Sequence, residues 1–98
     1  MTEAEVKAVA EEVLRAELGG AGFAAVEVRP GLDHDGEASW FLTAHFKPRS
    51  GVTSGAASTR AHAALRRRLL DLDEERFPYL RYRYPDDEVL IGEEQDEG

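Results

Sequence analysis

The chain has no cysteine in its 98 residues, which removes disulfides, thiolate chemistry and cysteine metal sites together and favours a reducing compartment. No apolar run approaches the roughly 20 residues that cross a bilayer, and the N-terminus is acidic, without the basic and apolar regions of a secretory signal. A cytoplasmic protein with no membrane role is the expectation. Catalytic and cofactor motifs are missing as well. His34, His45 and His62 are scattered over a turn, a strand and a helix, and no serine sits in a nucleophile-elbow pattern. The loop from Arg49 to Gly55 precedes a helix, as phosphate-cradling loops do. It lacks the Lys-Ser/Thr of a P-loop, and it follows an antiparallel-looking hairpin instead of opening a β-α-β unit. No internal repeats occur. The expectation is a non-enzymatic protein with no cofactor and no metal.

What is present is an uneven charge. The formal net charge is −8, yet residues 60–84 hold seven arginines against four acids. An acidic chain with one basic segment reads first as a protein that meets another macromolecule. Hydrophobic residues make up 42%, enough for one core in a chain this size, which buries very roughly two-thirds of its unfolded surface.

Thr2 followed three residues later by Glu5 is a capping box, and Val6, Val9, Ala10, Val13, Leu14 and Leu18 recur at helical spacing until Gly19 and Gly20. Residues 24–29 alternate apolar and polar and read as a strand ending at Pro30. A polar turn over 30–37 contains Asp35-Gly36, a hairpin signal. Trp40, Leu42, Ala44 and Phe46 alternate with Phe41, Thr43, His45 and Lys47 as a second strand. A Gly/Ser/Thr-rich loop leads to a second helix, residues 57–75, and Pro78 opens a last strand over 79–84 that its proline places at an edge or a strand start. Residues 86–98 carry seven acids and no cation, which predicts an acidic disordered tail after a single domain of residues 1–85. The expected fold is α+β: an α-β-β-α-β sandwich of two layers, with a three-stranded sheet and both helices on one face.

Such a sheet has a second face. If Val26, Val28, Leu42, Phe46, Leu80, Tyr82 and Tyr84 meet the helices, pleat parity turns Ala25, Glu27, Arg29, Phe41, Thr43, His45, Lys47, Tyr79, Arg81 and Arg83 outward. Aromatics among arginines carry much of the energy in protein interfaces, so Phe41, His45, Lys47, Tyr79, Arg81 and Arg83 are the expected partner contacts. The partner is another protein, or a second copy of the chain. Ordinary cross-strand pairing on a wet face is the plainer reading. Single-stranded RNA is the competing ligand, because bases stack on aromatics while cations meet phosphates. The acidic tail follows directly on the basic strand and offers a competitor for the same face, or only a solubilising extension.

Asp33, His34 and Asp35 form a possible site at the turn. With Gly36 they resemble the start of a calcium loop, but nothing downstream completes it, and a solvated turn accounts for them. Arg68 and Glu17 each fall inside the apolar arc of their helix. Either they meet across the helix pair, or Arg68 snorkels and Glu17 sits in the last turn.

Two resemblances add to this. Asp33-His34-Asp35-Gly36-Glu37 with Trp40-Phe41-Leu42-Thr43 and Glu75-Arg76-Phe77-Pro78 resembles a group of small prokaryotic proteins linked to toxin–antitoxin-like gene pairs. That implies a partner protein that neutralises or positions a second protein. The order α-β-β-α-β, with Leu80-Arg81-Tyr82-Arg83-Tyr84 after an Arg-rich helix, is similar in outline to ribosome-binding factor A. That family implies a KH-like fold on ribosomal RNA. The acidic balance and the lack of an Ala-X-Gly kink in the second helix depart from it.

Overall fold

The structure is a computed structural model that describes residues 1–85. Helix α1 spans Glu3–Leu18. Its capping box forms in both directions: the Glu5 backbone N–H donates to the Thr2 hydroxyl (3.2 Å), and the Thr2 N–H donates to the Glu5 carboxylate (2.8 Å). A single 3₁₀ turn, Gly19–Ala21, ends the helix. The left-handed φ of Gly22 (99°) then reverses the chain, and a Cβ there would lie 2.1 Å from the Ser50 hydroxyl. Only glycine fits that approach.

Strand β1 covers Phe23–Leu32, β2 Ala38–Phe46, helix α2 Gly55–Asp71 and β3 Phe77–Arg83. The sheet order is β1-β2-β3, so β2 is central and both proline-bearing strands lie at the edges. β1 runs antiparallel to β2 and β3 parallel to it. Element order, fold class and one-sided helix layer agree with the α+β sandwich expected from the sequence.

Four sequence expectations need correction. β1 does not stop before Pro30 but pairs on through Pro30, Gly31 and Leu32, because an edge strand loses nothing when the missing N–H would face outward. α2 ends at Asp71, not at residue 75, since Asp73 takes a left-handed φ (66°) and the Glu74 N–H turns back to the Leu69 carbonyl (2.8 Å). β3 accordingly begins two residues earlier than residue 79. The loop after β2 does open a β-α-β crossover, for β2 and β3 are parallel.

The core is one cluster on one side of the sheet. Val6, Ala10, Leu14 and Leu18 of α1 and Ala61, Leu65 and Leu69 of α2 pack on Val26, Trp40, Leu42, Ala44 and Phe46. Tyr82 and Tyr84 flank Phe46, and Tyr84 holds the preceding loop by donating to Thr53 Oγ1 (2.8 Å) while accepting from the Thr53 N–H (3.0 Å). Arg68 does reach across the helix pair, but to Glu12, with both side chains about half exposed; Glu17 stays on the surface. The long arginine stem covers apolar surface while its head remains wet. No described helix is long and apolar enough to cross a membrane. The acidic tail expected over 86–98 lies outside the described residues.

One polar group is buried at the α2–β3 junction. Glu74 is 5% exposed and accepts from Arg76 at both carboxylate oxygens (3.0 Å each), and the Arg76 backbone N–H adds a third bond. The Arg76 guanidinium lies 4.3 Å from the Trp40 ring centroid and donates to the Met1 carbonyl (3.0 Å), while the Met1 ammonium sits 3.3 Å from Glu74. This clasp ties the chain start, the crossover and the central strand together. The Arg76 bonds, opposed by desolvation, hold the Glu74 carboxyl well below its ordinary range, at about 2.

A carboxyl whose folded pKa is depressed stabilises the fold above its unfolded pKa, and that stability is lost as the pH falls toward the folded value. Glu74→Gln is therefore expected to cost about 2–3 kcal/mol at pH 7 in urea unfolding. The gap to the parent should shrink by half or more between pH 5 and pH 3. A gap that does not change with pH would show that the clasp is not ionic.

Candidate functional site

The helices leave the opposite sheet face uncovered, and pleat alternation decides what stands there. A hollow of about 680 Å³ opens on it, with Arg29 on one wall, Arg81 and Arg83 on the other and Thr43 and His45 between. Phe41, 37% exposed, and Tyr79 close one end. The register explains the grouping: Arg29, Phe41 and Tyr79 form one row, Glu27, Thr43 and Arg81 the next, and His45 with Arg83 the third.

Five of the six partner residues expected from the sequence, Phe41, His45, Tyr79, Arg81 and Arg83, line this hollow. Lys47 does not. It lies one residue beyond β2, where its N–H bonds to the Gly22 carbonyl (2.9 Å), and it lines a separate notch with Arg49, Val52 and Tyr84. Arg29, outside the expected contact set, takes its place on the wall.

The acids of the face are engaged internally. His45 Nε2 meets the Glu27 carboxylate on the neighbouring strand. The hydrogen bond from His45 first, and its charge second, hold the Glu27 carboxyl below the ordinary range. The charges of Arg29 and Arg83 lower it further, so Glu27 stays ionised among the wall arginines.

The aromatics form a row across the sheet. Phe41 stacks on Tyr79 with centroids 5.3 Å apart and planes 13° from parallel, and Tyr79 also meets Phe77 at 4.7 Å. The far flank of Phe41 lies over Gly31, where a Cβ would come within 2.9 Å of the ring. Phe77 continues the row around the edge of β3 to His62 and Arg66 on α2. His62 Nε2–H donates to the Pro78 carbonyl (2.7 Å).

The turn residues divide by role. Asp33 Oδ1 accepts the N–H groups of Asp35 (2.9 Å) and Glu37 (3.0 Å), and its Oδ2 accepts from the Tyr79 hydroxyl (3.1 Å) and the Ser39 hydroxyl (3.4 Å). These donors, the Glu37 N–H foremost, lower the Asp33 carboxyl below its usual range. Burial first, and the bond to Asp33 second, raise the Tyr79 phenol. Asp33 thus anchors the hairpin to the aromatic row. His34 and Asp35 stand in solvent, 86% and 76% exposed. Among the described residues no cluster of three or more His, Cys, Asp or Glu could hold a metal ion.

The bonds Asp33–Tyr79 and Glu27–His45 and the seat of Phe41 over Gly31 were not foreseen in the sequence. Each joins different strands, and none is visible before the register is known. No protein-family model, no curated protein and no solved structure matches the chain.

Replacing a strand glycine by alanine ordinarily stabilises by up to about 1 kcal/mol. At Gly31 the sign should reverse, with Gly31→Ala costing about 1–3 kcal/mol as the new methyl meets the Phe41 ring. Thermal unfolding measures it. For Asp33→Ala the melting temperature should fall, and the Tyr79 titration, assigned in the ultraviolet by comparison with Tyr79→Phe, should move down. Asp33→Asn, which keeps an Oδ1 acceptor for the turn, should restore part of the stability.

Proposed function

We propose that this chain is a non-enzymatic interaction module, of the antitoxin-like or adaptor kind, that binds a second protein through the uncovered sheet face. The observation that carries this reading is the hollow itself, walled by arginines on two strands and closed by a half-buried aromatic row. Arginine and aromatic side chains dominate binding energy when an interface covers them. His45, the one titratable side chain in the floor of the hollow, has Nε2 engaged by Glu27.

The same geometry weighs against single-stranded RNA as the ligand. A base needs an open ring face to stack on. Phe41 and Tyr79 turn a face toward each other, Tyr79 is touched by Phe77 as well, and Phe41 has a flank on Gly31. What they offer a partner is mainly their rims, an apolar ridge suited to aliphatic side chains.

A tagged pull-down, divided into nuclease-treated and untreated halves, tests the reading. One stoichiometric protein should survive nuclease and be lost from both Phe41→Ala and Arg81→Glu. Single-stranded nucleic acid held by three phosphate contacts would instead weaken with a slope of about +2 in log Kd against log salt. Retention of the partner by both variants, or recovery of RNA alone, would overturn it.

A further inference from the structure

The open face and the residues that follow β3 are complementary in charge and in apolar character. Resting on the reading of this face as a protein contact, we propose that the chain's own residues 86–98 are its resident occupant when no partner is bound. Their aliphatic run meets the rims of Phe41 and Tyr79, their carboxylates meet the basic surround, and a partner must displace them.

The segment mirrors the face in composition. Asp86-Asp87-Glu88 and Glu93-Glu94-Gln95-Asp96-Glu97 bracket Val89-Leu90-Ile91-Gly92, so seven acids enclose three consecutive aliphatic residues. A tract that only keeps a chain in solution needs no such run. The face sets cations around an apolar ridge in the same way, with Arg29, Arg81 and Arg83 beside Phe41 and Tyr79. Glu27 acts on both Arg29 and Arg83, yet it is the one carboxylate in the lining against three guanidinium groups, so the lining is net positive. Charge of opposite sign on the two surfaces favours their meeting.

Position adds to composition. Arg83 is the last residue of β3, and Pro85 lines a notch with Lys47 and Arg49, so the segment starts among cations. From Arg83 back to Tyr79 is four residues of strand, about 13 Å. Val89 to Ile91 lie six to eight residues beyond Arg83, a contour of up to about 20–28 Å, enough to reverse and return to the Phe41–Tyr79 row. A ligand joined to its site this closely acts at an effective concentration of about millimolar or more, so contacts that are weak singly hold it there.

The chain has no cysteine, so Gln95→Cys in the full-length protein takes a single nitroxide, which broadens the nuclear resonances of protons near it. At low salt the Phe41 and Tyr79 rings and the Thr43 and Arg81 amides should broaden far more than the Ala8 and Arg60 amides of the helix layer. Raising the salt from about 0.05 M to about 0.5 M, which shortens the Debye length from about 14 Å to about 4 Å, should at least halve the difference. Changing Val89, Leu90 and Ile91 together to Ser, or the seven acids to their amides, should each remove it. Broadening no greater on the face than on the helices would overturn the proposal; since no partner is present, the protein contact would still rest on its pull-down. Broadening that persists when label and observed nuclei are on different copies would overturn it in favour of a second copy. In the pull-down the amidated variant should retain severalfold more of the partner than the parent, and equal retention would sink the displacement.

Discussion

Everything in this molecule hangs on the pleat of one strand, β2, which is paired on both sides and covered on one. Its even-numbered residues, Trp40, Leu42, Ala44 and Phe46, are buried under the helices, and its odd-numbered residues, Phe41, Thr43 and His45, stand on the other face. Antiparallel pairing with β1 and parallel pairing with β3 carry that parity outward, so that Arg29, Phe41 and Tyr79 come into one row. A one-residue slip would place Phe41 in the core and Leu42 in water, so the burial of the core also holds the site in register. The site needs no separate scaffold.

The parallel strand is the harder part of this arrangement, because α2 must return the chain to the same end of the sheet. The junction where that return is completed holds Glu74, the one buried carboxylate among the described residues. Asp73 breaks the helix, Glu74 and Arg76 lock together, and Arg76 lies over Trp40 at the start of β2. The position of Trp40 on the central strand thus fixes where Pro78 pairs, and through it the places of Tyr79, Arg81 and Arg83. A partly buried ion pair gives little net stability by itself, but it specifies one geometry among several. Here that geometry is the register of the arginine wall.

How far the sequence could be read follows from which interactions are local. The capping box of α1 and the alternation of β2 are written within a few residues, and both appear where the pattern puts them. Membership of the open face was legible too, since parity needs only strand positions. The end of α2 was not, because Leu70 and Leu72 continue an apolar pattern through a helix that Asp73 stops by its backbone conformation. Nor was the partner of Arg68 legible: Glu12 and Glu17 differ by little more than a turn of α1, and the helix crossing alone decides between them. The direction of β3 is a property of the crossover, and the contacts Asp33–Tyr79, Glu27–His45 and Gly31–Phe41 depend on registers that no single segment contains.

The edges of the sheet bear on the proposal that a partner meets the face and not the strand backbones. Exposed edge strands invite another chain to pair with them, and proteins blunt them with proline and charge. Pro30 sits inside β1 and Pro78 inside β3, each removing one N–H donor from its strand. The Pro78 carbonyl is already taken by His62 from α2. Backbone pairing along either edge is interrupted near its middle or its start, whereas the hollow between the edges presents side chains only. The same two prolines that made the strand assignments hard to place thereby leave the arginine-walled face as the surface that the proposed contact would use.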